Sequence, residues 1–272
     1  MIDCAEPAAI IDLDRYPIAD LGAPEAVALI EDCRARLDAT GALSLPGFVL
    51  PVAAEALAAE ARDLTPLAYE IATEHTCYFE PADEAFPEDH PRSHMLFSRK
   101  GGVAGDQIGK TAILKRLYHW DGLMGFIAGV LGEDKLYRHA DPLAALNINV
   151  FETGQSLNWH FDRADFSVTL SIQTAQDGGQ FEYVPALRSS DDENYDGVTK
   201  VMEGAAGDTH LLEFEAGTLA LFRGHYALHR VTPVIGKQAR LAAVLSYVRE
   251  PNVIFTPYAR ELFYGRTESI VD

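Results

Sequence analysis

The sequence predicts a mainly β protein with α elements: an antiparallel barrel or sandwich, with helices from the N-terminal half packed against it. Three observations carry that expectation. Apolar residues recur at helical spacing early in the chain, they alternate with a period of two from about residue 134, and no helical stretch is evident between the later strands. Parallel strands need crossover segments of a dozen residues or more, usually helical, so the later half reads as antiparallel. A length of 272 residues with 48% hydrophobic and 23% charged content suits one domain over 1–272. Within it we expect a helical flanking part at 1–133, a β core at 134–250 and a C-terminal segment at 251–272.

In PEAVALIEDCRARLDATG the apolar positions Val27, Ile30, Cys33 and Leu37 share a helical face, and Gly41 is placed to end the helix. PVAAEALAAEARDL opens on a proline suited to a first helical turn and is rich in alanine. A third helical region, about 113–131, is interrupted near Gly122. In LNINVF, Leu146, Ile148 and Val150 fall on one face and Asn147, Asn149 and Phe151 on the other. In SVTLSIQ, Val168, Leu170 and Ile172 alternate with Ser167, Thr169, Ser171 and Gln173. QFEYV, HLLEF, GTLALF and RLAAVLSYV give further strands, punctuated by Gly178-Gly179, Gly217 and Gly236. The one charge run, RSSDDENYDG at 188–197, reads as a solvated loop ahead of an active-site lid.

The balance of 22 basic against 41 acidic residues gives a net charge of −19, which repels phosphate backbones and anionic lipid. No apolar run approaches the roughly 18 residues that span a bilayer. The opening MIDCAEPAAIIDLDRYP carries acid where a signal peptide carries base. Cys4, Cys33 and Cys77 form neither a disulfide framework nor a zinc-knuckle spacing. The expectation is a cytoplasmic protein with neither a nucleic-acid nor a membrane partner.

Three His-x-Asp pairs occur: His119/Asp121, His139/Asp141 and His160/Asp162. Composition alone would give roughly 0.7 such pairs, so the pair by itself decides nothing. Geometry separates them. Two residues apart on a strand, side chains project to one face and can reach one ion; on a helix they diverge by about 200°. KRLYHWDGL is helical in pattern, which removes the first pair. His139 and Asp141 sit at a strand end before Pro142 and stay open. His160 and Asp162 lead into the clearest alternating strand of the chain. His225 and His229 offer a third ligand, and of these His229 closes an apolar run. An HxxxH zinc-protease helix is ruled out because Tyr226 stands where that motif needs Glu. Arg240 follows His229 and opens another apolar strand.

His160, Asp162, His229 and Arg240, in this order and strand context, resemble the Fe(II)- and 2-oxoglutarate-dependent oxygenases with a double-stranded β-helix (jelly-roll) fold. The wider text, from DLDRYP through NWHFD, GGQFEYVP, SSDDENYDGV, LFRGHYALHRVTPV and ELFYGR, is similar to the branch of halogenases and hydroxylases acting on free amino acids. The resemblance implies a jelly-roll core, Fe(II) on His160, Asp162 and His229, and O2 as oxidant. It implies 2-oxoglutarate anchored by Arg240, whose guanidinium fork matches a carboxylate and does not lose its charge. Halogenating members carry Gly in place of the carboxylate ligand, so Asp162 implies hydroxylation. Many members carry Ser two residues after the Arg; here the position is Ala242.

Other residues carry lesser expectations. Asn149 shares the polar face of LNINVF and is a candidate for the 2-oxoglutarate pocket. Arg163 reads equally as a substrate-carboxylate ligand or a surface residue. The resemblance places HTCYF near the substrate, making His75 and Tyr78 candidates, and Asp141 is a further substrate candidate. No catalytic residue beyond the metal ligands is expected. Two rival classes use the same triad: a zinc-dependent jelly-roll hydrolase, and a non-catalytic cupin-like binding protein. Arg240 separates the hydrolase from the oxygenase, since a hydrolase has no use for a cation at that place.

Overall fold

The computed structural model describes residues 6–205 and 209–270; Cys4 lies outside them. Helices α1 (Pro24–Thr40), α2 (Pro51–Leu64), α3 (Ile113–His119) and α4 (Asp121–Leu131) form the flank, and α5 (Tyr195–Met202) and α6 (Pro257–Tyr264) come later. α1 and α2 each start on a proline, and Gly41 closes α1 in the left-handed conformation at φ 71°. The interruption expected near Gly122 falls at Trp120, whose extended backbone separates α3 from α4. A Cβ on Gly122 would lie 2.3 Å from the Trp120 ring, so this glycine lets the indole fold over the start of α4.

The strands are β1 (Ala42–Leu45), β2 (Tyr69–His75), β3 (Leu96–Val103), β4 (Tyr137–Arg138), β5 (Leu146–Phe151), β6 (Leu157–His160), β7 (Ser167–Gln173) and β8 (Asp177–Gly178). They continue with β9 (Phe181–Val184), β10 (His210–Leu211), β11 (Leu219–Phe222), β12 (Leu228–Val231), β13 (Val234–Ile235), β14 (Arg240–Leu245) and β15 (Tyr247–Val248). A seven-stranded antiparallel sheet runs β1-β11-β7-β14-β5-β3-β2, and a four-stranded one runs β10-β9-β12-β6. β13-β8 and β15-β4 form two short ribbons.

The two faces of the large sheet explain its alternating sequence. Leu146, Ile148 and Val150 of β5, Val168, Leu170 and Ile172 of β7, and Leu241 and Leu245 of β14 join one cluster with Leu37, Leu57, Leu117 and Phe126 of the flanking helices. Each fully buried aliphatic of this kind contributes roughly 1.5–3 kcal/mol. The alternate residues face the small sheet, against which Phe151 and Phe222 pack through Phe181. The polar members of that second face, Asn147, Asn149, Thr169, Ser171 and Arg240, therefore turn into a lumen between the sheets.

Two features differ from the sequence expectation. The part read as helical flank also supplies β1, β2 and β3 to the large sheet. β1 is only four residues long, and β2 mixes exposed Glu70 and Glu74 with one buried aliphatic, so neither shows a clean alternation. A short helix, α5, does stand between two later strands, capped by the Asn194 side chain, which accepts from the Gly197 amide at 3.2 Å. It begins inside the charge run, where Asp and Asn mask the apolar positions Val198 and Val201. Among the described residues no helix is long and apolar enough to cross a membrane.

Candidate metal centre

β6 and β12 are neighbours in the small sheet, and their register sets His160 directly opposite His229. The two rings lie 4.0 Å apart between centroids. Asp162 follows two residues after His160, where the chain has left β6, and its amide donates to the Gly224 carbonyl at 3.0 Å. Its Oδ1 lies 3.8 Å from His160 Nε2 and 3.6 Å from His229 Nε2. One ligand atom from each residue falls within 4.8 Å of the others, the geometry of two imidazoles and a carboxylate around one ion.

The surroundings prepare these atoms for a metal. His160 Nδ1 donates to the Asn158 carbonyl at 2.7 Å and His229 Nδ1 to the Ala227 carbonyl at 2.9 Å. A carbonyl accepts only from an N–H, so Nδ1 carries a proton in both rings and Nε2 is the atom each turns to the centre as a ligand. Burial, reinforced by the neighbouring His229, pushes His160 well below the ordinary histidine range against the pull of Asp162. It is therefore neutral, the form that binds metal. Burial pushes the Asp162 carboxyl up, but His229, His160 and Lys100 outweigh it and hold the group below its usual value. The centre thus offers one Nε2 from each imidazole and one carboxylate anion. Gly224 makes room: a Cβ there would stand 2.1 Å from Asp162 Oδ2.

Arg240 starts β14 on the lumen side and is 6% exposed. Among the described residues its guanidinium has no hydrogen bond or ion pair, and only the Phe151 and Phe214 rings flank it, at 5.4 and 5.1 Å. Burial pushes its pKa down to about 10, which leaves it charged at neutral pH. It lines a cavity with Ser171, Gly179, Phe181 and Phe214. Phe181 also stacks on His229 at 5.4 Å, so the cavity wall touches a candidate metal ligand.

A profile of the family described as Halogenase D matches residues 26–261. The chain belongs to the Halogenase D family. Its fold is the double-stranded β-helix of the 2-oxoglutarate- and Fe(II)-dependent oxygenases, and solved structures share it at low identity. HygX from Streptomyces hygroscopicus, with nickel and 2-oxoglutarate bound, superposes with a TM-score of 0.56 at 13% identity, over 83% of this chain and 89% of that one. The epimerase SnoN from nogalamycin biosynthesis gives 0.55 at 14%, over 81% and 83%. A prolyl hydroxylase from Trichoplax adhaerens, in complex with a hypoxia inducible factor peptide fragment, gives 0.54 at 12%, over 82% and 90%. No curated protein matches the sequence.

Around this Halogenase D centre the remaining candidates fall in different places. His75 is buried at the end of β2, with Nδ1 donating to the Thr76 carbonyl at 2.8 Å and Nε2 accepting from Ser98 Oγ at 2.7 Å. Ser98 Oγ in turn accepts from the Asn158 amide at 2.9 Å, which links His75 through Asn158 to His160. Both His75 nitrogens are therefore satisfied. Tyr78 stacks on Phe161 at 5.5 Å, and its hydroxyl is buried with no partner among the described residues. Arg163 donates to the Phe79 carbonyl at 2.7 Å. Phe79, at φ 54°, packs its ring between His75 and His160 at 4.6 and 4.7 Å. A non-glycine residue in that conformation is strained and marks a constrained position.

Asp141 is not brought to the centre. Its Oδ1 accepts from Leu143 and Ala144 amides, and its Oδ2 from the Phe255 amide and Arg260 Nε at 2.7 Å. With no exposure and four donors satisfied, it holds the C-terminal segment and has nothing left for a substrate. Of three further residues near the centre, His225 is a candidate third ligand that yields to His229 in the sequence, and Gly224 and Lys100 carry no signal there. Gly224 reads as an ordinary turn, and His225 Nδ1 lies 3.2 Å from the Asp162 carbonyl. The third is Lys100, which donates to Asn149 Oδ1 at 2.7 Å. The charge run is tied down as well, since Arg188 donates to the His225 carbonyl at 2.8 Å and pairs with Glu193 at 3.1 Å.

Proposed function

We propose that this protein is an Fe(II)- and 2-oxoglutarate-dependent dioxygenase that hydroxylates an unactivated C–H bond of a small polar metabolite, a free amino acid or a derivative of one. One observation carries the reading: Arg240 is buried in the lumen with no anionic partner among the described residues. Leaving a buried charge unpaired costs on the order of 3–5 kcal/mol, a cost that an anionic ligand removes. A zinc hydrolase gives no reason for that cation.

The residues present fit the implied groups. His160, Asp162 and His229 would hold iron, and Arg240 the far carboxylate of 2-oxoglutarate. When bound, iron, cosubstrate and O2 supply the oxidising chemistry, with 2-oxoglutarate leaving as succinate and carbon dioxide. The chain's own part is placement. The Asn158 and Ala227 carbonyls fix the two imidazole tautomers, and Gly224 seats the carboxylate. Phe181, Phe222 and Phe79 surround the imidazoles with apolar rings that exclude water. The family's description names halogenation, but a halogenating centre by the resemblance has Gly where Asp162 stands. Here the carboxylate lies 3.6 to 3.8 Å from both imidazoles and fills that position, which supports hydroxylation.

The test is spectroscopic first. Fe(II) with 2-oxoglutarate, without oxygen, is expected to give a metal-to-ligand charge-transfer band that Asp162→Ala and Arg240→Ala remove. Oxygen and a panel of amino acids should then give succinate and a product heavier by one oxygen atom. No band with the wild type would overturn the reading. A chlorinated product in the presence of chloride would overturn hydroxylation in favour of the family's other chemistry.

A further inference from the structure

Of the three candidate metal ligands, Asp162 has the least regular structure behind it. His160 and His229 stand opposite each other in the β6–β12 ladder, but β6 ends at His160 and Asp162 lies two residues beyond. The turn at 223–226 holds it instead. The Asp162 amide donates to the Gly224 carbonyl at 3.0 Å, and the Asp162 carbonyl accepts from His225 Nδ1 at 3.2 Å. Both backbone groups of this ligand are thus committed to a segment that belongs to no strand. Gly224 also packs so closely on the carboxylate that a Cβ there would overlap it, so a shift of the turn would shift the carboxylate too. The turn closes on itself only weakly, through the Tyr226 amide and the Arg223 carbonyl at 3.4 Å. Its place is set from outside. At its start, the Arg223 amide donates to the Gly41 carbonyl at 2.8 Å.

Arg188 fastens the other end. Its backbone amide donates to the Tyr226 carbonyl at 3.4 Å, and its Nε to the His225 carbonyl at 2.8 Å. The same guanidinium lies 4.2 Å from the ring centroid of Phe161, the residue between His160 and Asp162, while Nη1 donates to Glu193 at 3.1 Å. Phe161 is itself fixed: its amide donates to the Cys77 carbonyl at 2.8 Å, and its ring stacks on Tyr78 at 5.5 Å. One side chain therefore spans the two segments whose separation sets where the carboxylate stands, the exit from β6 and the 223–226 turn. The planar guanidinium suits this place because its face can lie on a ring while its edge donates to a carbonyl and a carboxylate together. With a side chain only 11% exposed, Arg188 is an inner brace although it opens the charge run.

We propose that Arg188 and His225 are positioning residues that fix the Asp162 carboxylate for the metal: Arg188 braces the turn against Phe161, and His225 passes that bracing to the Asp162 backbone. The proposal rests on the reading of His160, Asp162 and His229 as a metal centre. Its signature is dependence on the carboxylate. Bracing that serves Asp162 has nothing to serve once the carboxylate is gone, whereas a general loss of packing weakens the site either way.

The experiment is calorimetric binding of Ni(II) to the whole protein, an ion suited to imidazole and so measurable without the carboxylate. Asp162→Ala should weaken binding. Arg188→Met keeps bulk against Phe161 but neither charge nor donor. It should weaken Ni(II) by about 10–100-fold where Asp162 is present, and by less than about twofold in the Asp162→Ala background. His225→Phe should show the same dependence on Asp162, and it carries the test if circular dichroism finds Arg188→Met unfolded. Wild-type protein that binds no Ni(II), or Asp162→Ala that binds it as tightly as wild type, would overturn the metal centre itself. Losses of equal size with and without Asp162, or no loss in either variant, would overturn the bracing and leave the metal centre standing.

Discussion

A glycine and an arginine carry the sharpest consequences at the scale of single residues. Gly224 has its α-carbon where a methyl group would overlap the Asp162 carboxylate. Gly224→Ala is expected to displace that ligand and weaken metal binding by about 10–100-fold, the range seen when groups supporting ligands are altered. Metal titration beside a melting curve checks it, and unchanged affinity would refute the crowding argument. Arg240→Met should act in the opposite sense on the ligand-free protein. Removing a buried cation that has no anionic partner among the described residues should raise stability by on the order of 1 kcal/mol or more, while abolishing the rise in melting temperature that 2-oxoglutarate gives the metal-loaded wild type. The cluster of His160, Asp162 and His229 was legible through residue type and order rather than strand phase: β6 ends at His160 and Asp162 lies beyond it, so the two do not share the strand face expected of them. Lys100 was not legible, because its direction depends on a sheet neighbour far along the chain. Asp141 misled for the same reason, since nothing near it reveals that Arg260 will take its carboxylate.

At the scale of elements, the C-terminal segment is held by two buried carboxylates. Asp141 pairs with Arg260, and Asp106 takes both Arg266 nitrogens, at 2.8 and 2.5 Å, with the Ile270 amide at 2.9 Å. Burial raises both carboxyls, and their arginine and amide partners more than offset it, so each is held below its usual value. A carboxyl lowered on folding adds stability that is present above its unfolded pKa, about 4, and is lost as pH falls through the folded value. Melting temperature should therefore drop below about pH 4. Arg266→Ala, which strands Asp106 in the interior, should cost about 3–5 kcal/mol at neutral pH and shift the acid transition upward. A denaturant titration across that range decides it, and an unchanged midpoint would refute the clasp. Long alternating strands such as β5, β7 and β14 were readable from their period. β6 and β12, which carry both imidazoles, are four residues each, too short to show a period, and were found only through the chemistry of their histidines.

For the molecule as a whole, charge is arranged in opposition. The chain carries a net −19, while its lumen holds Lys100 and Arg240 without anionic partners among the described residues. The outer field repels the dianion that the inner cations receive. Association with 2-oxoglutarate should therefore speed up as salt rises from about 0.01 to 0.1 M, where the Debye length shrinks from about 30 to 10 Å. Stopped-flow fluorescence reads this directly, and a rate that falls with salt would refute it. The fold class was legible because alternation and the scarcity of crossover helices are global patterns. The share of β1, β2 and β3 in the large sheet was not, because edge and near-edge strands need not alternate.

The pairing of His160 with His229 across β6 and β12 has a consequence for assembly. In an antiparallel ladder a slip of one residue turns a side chain to the other face, and a bulge already interrupts this pair between His229 and Val231. Only the native alignment points both imidazoles at one spot. A metal ion arriving there would act as a proofreader of the seam, binding chains whose strands have met correctly and releasing those that have not.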